Sequence, residues 1–480
     1  MISARGFGWR HAGRRAWALR DVSFTIEAGE RVLVLGSSGS GKSTLLRALA
    51  GVLGDSDDGE TAGQLLIDGR HPTRTIGRQA LVQQDPDAQV VLGRVGDDVA
   101  FGAENLRVPP AEIWPRVDDA LARVGLDVGR DHSTAHLSGG QKQRLALAGA
   151  IAMRAEVLLL DEPTANLDPA GVEEVVDAVA SLVADRRTTL LVVEHRVDAW
   201  LGLVDRVIVL SSAGGVLADG PADRVLREQR DALLEAGVWV PGVGLDVAPL
   251  PAPETTESIM VGEALVVGRD RPAPMSAGGP IDVDLKRAST VVTGPNGVGK
   301  STLALTLAGL LRPLSGRVVA GDRLREGLSP DPLRWKSRHL AGRIGYVFQE
   351  PEHMFVAATV RDELALAVRQ RSGSGLEAAR VDELLEQLHL TGVAGANPFS
   401  LSGGEKRRLS VGVVLGAGPQ LIMVDEPTFG QDRTTWHDLV RLFTRLADDG
   451  HALVSVTHDR AFIDVMGQHR LDLDHGQGRA

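Results

Sequence analysis

At 480 residues the chain is too long for one ordinary core, and a formal net charge of −11 supplies no global attraction to nucleic acid. Cysteine is absent, which removes disulfides and thiolate metal sites and fits a reducing compartment. No run approaches the roughly 20 apolar residues that cross a bilayer, and Arg5, Arg10, Arg14, Arg15 and Arg20 enclose no apolar stretch of a secretory signal; any membrane part is expected to come from another chain.

From Ile2 to Glu30, short alternating segments such as Val22-Ser23-Phe24-Thr25-Ile26 predict an antiparallel sheet, with Glu27-Ala28-Gly29-Glu30 turning into the apolar strand Val32-Leu33-Val34-Leu35. That strand runs into Gly36-Ser37-Ser38-Gly39-Ser40-Gly41-Lys42-Ser43-Thr44 and then the helical segment Leu45 to Leu49. Strand, glycine loop and helix start in this order aim several backbone N–H groups at one point, where a phosphate chain can sit. Gly36, Gly39 and Gly41 let the backbone approach the anion, Lys42 can reach its β and γ oxygens, and Ser43 can ligate Mg²⁺.

Gln64 to Gly69 reads as another strand and turn, followed by an apolar segment ending in Val82-Gln83-Gln84-Asp85-Pro86, and about Val95 to Gly129 reads as mainly helical. Leu137-Ser138-Gly139-Gly140-Gln141-Lys142-Gln143-Arg144 opens a long helix, in which Ser138 is a good N-cap and Gly139-Gly140 leave the helix N–H groups open to an anion. Val157 to Leu160 predicts a buried parallel strand carrying Asp161-Glu162 at its carboxyl end, where open α/β sheets bind ligands. Asp161 suits Mg²⁺, while Glu162 can orient and deprotonate a water attacking phosphorus. Thr188 to Val193 is a further strand, capped by Glu194 and His195, and that imidazole can contact the γ-phosphate. Val207 to Leu210 and Val216-Leu217 complete the sheet, and Ala222 to Leu234 predicts one helix. The proline- and glycine-rich residues 238–256 are expected to link two domains, 1–237 and 257–480.

The second domain repeats the order. Val291-Val292-Thr293 leads into Gly294-Pro295-Asn296-Gly297-Val298-Gly299-Lys300-Ser301-Thr302, then come Ile344 to Gln349, Leu401-Ser402-Gly403-Gly404-Glu405, Leu421 to Asp425-Glu426, and Leu453 to His458. Two cradles in matching context argue an internal duplication, and strands alternating with helices predict two α/β domains, each with a mostly parallel core sheet. Gln84 and Gln349 sit in matched loops, where a neutral amide can ligate Mg²⁺ or hold water without adding charge.

Two phosphate loops, two Leu-Ser-Gly-Gly signatures, two Asp-Glu strand ends and two terminal histidines make the chain resemble a pair of fused ABC-type nucleotide-binding domains. More narrowly, Val82 to Pro86 with Gln89, the stretch Val95 to Leu106, and Leu234-Glu235-Ala236-Gly237 through Pro241 are similar to the ATPase subunits of energy-coupling factor importers. The resemblance implies tandem P-loop NTPase domains, each with an antiparallel β subdomain and a helical subdomain. It implies binding and hydrolysis of ATP with Mg²⁺, and two sites formed head to tail. Lys42, Ser43, Thr44, Ser37, Gln84, Asp161, Glu162 and His195 would face Ser402, Gly403 and Gly404. Lys300, Ser301, Thr302, Asn296, Gln349, Asp425, Glu426 and His458 would face Ser138, Gly139 and Gly140. Asp168 and Asp432 match the loop through which such sites communicate.

Trp9 matches the position that stacks on adenine, whereas no aromatic residue occurs near Val267, so the second site is expected to bind ATP more weakly unless Arg269 or Arg271 substitutes. The resemblance also implies integral membrane partners, a coupling subunit and a substrate-binding subunit, at the cytoplasmic face of the membrane. Asp85, Asp87, Glu350 and Glu352 are candidates to receive arginines of such a partner. The transported solute would be a micronutrient such as a vitamin or metal ion, and no nucleic acid is expected. The alternative is a soluble tandem ATPase acting on ribosomes or nucleic acid.

Overall fold

The computed structural model describes residues 1–14, 16–53, 59–165, 167–253, 257–269, 280–369, 377–473 and 478–479. The chain divides into two compact units, Met1–Val243 (to which Asp432–Thr434 is also assigned) and Gly244–Gln431 with Thr435–Ala480.

In the first unit β1 (Ile2–His11), β2 (Leu19–Ile26) and, after β3 (Arg31–Leu35) and α1 (Lys42–Ala50), β4 (Gly59–Ile67) build the antiparallel subdomain, in the order β2-β1-β4. Then follow β5 (Gln79–Val82), α2 (Val95–Asn105), α3 (Pro110–Arg123), α4 (Gly139–Ala152), β6 (Val157–Asp161), α5 (Pro169–Val183), β7 (Thr189–Val193), β8 (Arg206–Leu210), β9 (Val216–Pro221), α6 (Ala222–Glu228) and α7 (Arg230–Glu235). The core sheet has the order β5-β6-β7-β3-β8-β9 and is parallel except for β9. Its central strands are continuous apolar runs because helices cover both faces: β6 and β7 are buried at every residue. The helix expected from Ala222 to Leu234 is interrupted at Gln229, whose backbone (φ −105°, ψ 18°) leaves the helical region.

The second unit repeats this plan. Its antiparallel sheet, in the order β11-β10-β13, comprises β10 (Ser258–Val266), β11 (Ile281–Lys286) and, after β12 (Ser289–Thr293) and α8 (Lys300–Leu307), β13 (Ser315–Ala320). There follow α9 (Asp322–Arg325), α10 (Ser337–Ala341), β14 (Ile344–Val347), α11 (Val360–Arg369), α12 (Glu377–Gln387), α13 (Gly403–Ala417), β15 (Leu421–Asp425), α14 (Arg433–Asp448), β16 (Ala452–Val456), α15 (Arg460–Met466), β17 (His469–Leu473) and β18 (Gly478–Arg479). The core order is β14-β15-β16-β12-β17-β18, with only β18 antiparallel. In both sheets the glycine-loop strand lies beside the histidine strand, and the next strand outward ends in the Asp-Glu pair. The expected linker is more engaged than its composition implies: Val238 and Val240 are buried in the first unit's apolar core, and Leu250 N–H donates to Val465 O at 2.8 Å in the second.

Candidate nucleotide-binding and hydrolysis sites

Between β3 and α1, Gly41 occupies the helix N-cap with φ 91° and offers no side-chain cap, which leaves the first N–H groups for another acceptor. A β-carbon there would stand 2.3 Å from Ala18 O, so only glycine lets the loop close against the chain entering β2. Lys42, 5% exposed, curls back so that Nζ donates to Gly36 O and Ser37 O, both at 2.9 Å. Burial pulls its pKa below the usual lysine value, against the opposing charge of Glu162. In the second unit Gly299 (φ 106°) caps α8 in the same way, and a β-carbon on Gly294 would meet Leu473 O at 2.2 Å. Lys300 Nζ donates to Gly294 O at 2.9 Å and Pro295 O at 3.0 Å.

β6 and β15 deliver Asp161 and Asp425 to the sheet edge, and the next residue turns sharply. Glu162 (φ 49°) and Glu426 (φ 47°) both take the left-handed conformation that non-glycine residues avoid, a strain of about 1–3 kcal/mol that recurs at functional sites. Hydrogen bonds from their N–H groups to Val193 O (2.9 Å) and Val456 O (2.8 Å) hold the turns.

Ser43 Oγ donates to Asp161 Oδ1 at 2.9 Å, and Asp161 is pushed up to about 6 by burial and then by the charge of Glu162. Asp425 is raised mainly by burial, accepts from Ser301 and from the Tyr346 hydroxyl at 3.3 Å, and keeps a buried Oδ1 with no hydrogen-bond partner. Buried carboxylates short of positive charge beside a serine hydroxyl fit a divalent cation. Among the described residues no group of three or more His, Cys, Asp or Glu forms a protein cage for a metal.

Around the glutamate the two halves differ. In the first, His195 Nε2 lies 3.0 Å from Glu162 Oε1 and Gln84 Nε2 donates to Oε2 at 2.8 Å. Burial pushes the Glu162 carboxyl up, but His195 and Lys42 more than offset it and hold it below the usual value. In the second, His458 Nε2 is 3.9 Å from Glu426, 2.9 Å from Lys300 Nζ and 3.0 Å from Asn296 Oδ1. Thr457 Oγ1 donates to Glu426 Oε2 at 3.0 Å, and burial drives that carboxyl up to about 7. In the second half the Gln349 side chain, expected to ligate Mg²⁺ or hold water, makes no hydrogen bond among the described residues. Its carbonyl and that of Phe348 instead accept from Arg407 at 2.6 and 2.8 Å.

Ser138 and Ser402 each close a capping box. Ser138 Oγ accepts from Gln141 N–H while Gln141 Oε1 accepts from Ser138 N–H, and Ser402 does the same with Glu405. Nothing lies within 4 Å of a β-carbon built on Gly139 or Gly403, so both helix starts can be approached closely by an anion. Of the acids flanking the glutamines, Asp87 pairs with Lys142 and Glu352 with Lys406, both in exposed bridges that a partner can displace.

Trp9 is not an open stacking platform. It is 4% exposed within the apolar cluster of the antiparallel sheet, beside Gly59, with its indole N–H donating to His11 Nδ1 at 3.2 Å. The half-buried Trp17, one residue before the Ala18 carbonyl that abuts the glycine loop, is the more accessible indole of that hairpin. The asymmetry argued from Trp9 therefore loses its basis; Val267 is fully buried, and Arg271 lies outside the described residues. Arg407, Tyr346 and the buried Glu194 lie outside the sequence motifs that carry chemistry. Glu194 Oε1 accepts from Thr164 Oγ1 at 2.5 Å and from its N–H at 3.0 Å. The signal for Glu194 was its place before His195, where the other copy has Thr457.

Residues 19–165 and 280–429 match the ABC transporter family. YkoD of Bacillus subtilis (strain 168), whose name proposes an HMP/thiamine import ATP-binding protein, is 34% identical over 92% of this chain and 84% of its own length. A Streptomyces avermitilis protein, whose name proposes an ABC transporter ATP-binding role, is 34% identical over 96% of this chain and 90% of its own. Among solved structures, a model of ribosome-bound archaeal Pelota and ABCE1 shares the fold, with a TM-score of 0.67 at 20% identity over 98% of this chain and 78% of that one.

Proposed function

The chain belongs to the ABC transporter family and is an ATP hydrolase, and from that premise we propose that it powers import of a micronutrient through separate membrane subunits. The observation that carries the import reading is the match to YkoD across nearly the whole chain, since that relative's name concerns import of HMP or thiamine. The partners are an integral coupling subunit and a substrate-binding subunit, and the chain sits peripherally at the cytoplasmic face. No helix among the described residues is long and apolar enough to cross a membrane.

In this reading each glycine loop holds the phosphates of one ATP, and the serine-glycine helix start of the other half completes that site. Ser43 with Asp161, and Ser301 with Asp425, hold Mg²⁺, with Gln84 and Gln349 as the amide ligands. The ion supplies charge neutralisation of the phosphate oxygens. Glu162 and Glu426 orient and deprotonate the attacking water, while His195 and His458 contact the γ-phosphate.

The test is affinity purification from solubilised membranes of the native host, together with uptake of radiolabelled thiamine or HMP in a strain lacking the gene. Import predicts integral membrane chains in the eluate and reduced uptake of one such solute. Recovery on ribosomes with no membrane chain would contradict it.

A further inference from the structure

The second unit contains a cavity of about 430 Å³ bordered by α12, α13 and α14 that has no counterpart role in nucleotide hydrolysis. His389, Arg408, Arg441 and Arg445 line it with Gln387 and Thr444, and one carboxylate, Asp438, shares the wall. Three guanidinium groups and a single carboxylate leave this wall with a net positive charge, the sign that attracts an anion.

The first unit shows what the same positions do when the charge is balanced. There Arg144 on α4 donates to Gly125 O at 2.8 Å and pairs with Glu174 on α5 at 3.1 Å. The matching residues are Arg408 on α13, His389 and Asp438 on α14, as counted from the Leu-Ser-Gly-Gly signatures and from Asp168 and Asp432. Gly125 (φ 63°) takes the left-handed conformation at ease, whereas His389 (φ 54°) takes it under strain. Arg408 makes no ion pair or side-chain hydrogen bond among the described residues, and its Nε is buried without a partner. Asp177 and Ser181 of α5 are replaced on α14 by Arg441 and Arg445, one helical turn apart, where like charges repel. Asp246, 3.7 Å from Arg441, is the only ion partner of that pair among the described residues.

We propose that this cavity binds a small phosphorylated solute, a phosphate monoester or pyrophosphate, through Arg408, Arg441 and Arg445. Its volume lies in the range of small-molecule sites, and planar guanidinium forks match phosphate oxygens pairwise. Because α13 begins at Ser402, an occupant that joins α13 to α14 also bears on the helix start carrying the signature. The site is separate from the glycine loops and does not depend on the import reading.

Isothermal titration of the full chain with inorganic pyrophosphate, both glycine loops saturated with ADP, tests this. We expect one site per chain, weakened at least about tenfold in Arg441→Gln/Arg445→Gln. Both side chains are exposed, so the variant keeps its melting temperature. Arg144→Gln, the matching position of the first unit, is expected to leave the isotherm unchanged. No binding beyond ADP, binding within twofold of wild type in the double variant, or equal loss in Arg144→Gln would overturn the proposal.

Discussion

Glu162 and Glu426 hold the same place in sequence and opposite protonation tendencies, one kept low by His195 and the other raised to about 7 where His458 stands off at 3.9 Å. A general base acts only when deprotonated. Steady-state hydrolysis by Glu162→Gln, which leaves the second site, should therefore rise severalfold between pH 6 and 8, while Glu426→Gln should be nearly flat there. Parallel profiles would contradict the assignment. Glu194 makes a separate test. Its folded pKa, raised by burial from 4.5 to about 7, means that the folded state holds its proton more tightly than the unfolded state. The resulting destabilisation is absent below pH 4.5 and grows as pH rises toward 7. Glu194→Gln, which keeps an acceptor oxygen for Thr164, should gain up to about 3 kcal/mol at pH 8 and nothing at pH 4.5 in urea unfolding. Equal gains at both pH values would contradict this. Neither effect can be read from the sequence, because burial and the 3.0 versus 3.9 Å histidine distances are properties of packing.

At the scale of elements, whatever depends on neighbours along the chain was legible: the loop-to-helix starts at Lys42 and Lys300, the apolar strands ending in Asp161 and Asp425, and the serine caps of α4 and α13. Elements governed by distant partners were not. Trp9 is buried because β1 pairs with β4 at Gly59, some 50 residues away, and Gln349 is placed by Arg407 of α13. Arg407 is 3% exposed and bridges two carbonyls of the glutamine loop, so Arg407→Ala leaves both without a donor, at about 1–3 kcal/mol each. In the Glu162→Gln background this change should lower the remaining turnover at least about tenfold, with partial rescue by Arg407→Lys. Unchanged turnover would show that the loop is positioned by other means.

At the scale of the whole molecule, the duplication was legible because every chemically specific residue type recurs in order, and both core sheets follow one strand plan. The copies diverge outside those motifs: Glu194 against Thr457, Gln143 against Arg407, and Asp177 and Ser181 against Arg441 and Arg445. We propose that two complete hydrolysis sites reside in this one polypeptide. ATP turnover of Glu162→Gln, Glu426→Gln and the double variant tests it most directly. Each single variant should retain a measurable fraction and the double variant should fall by at least about a hundredfold, equivalent to roughly 3 kcal/mol in the barrier. A double variant that turns over at the wild-type rate would contradict the claim.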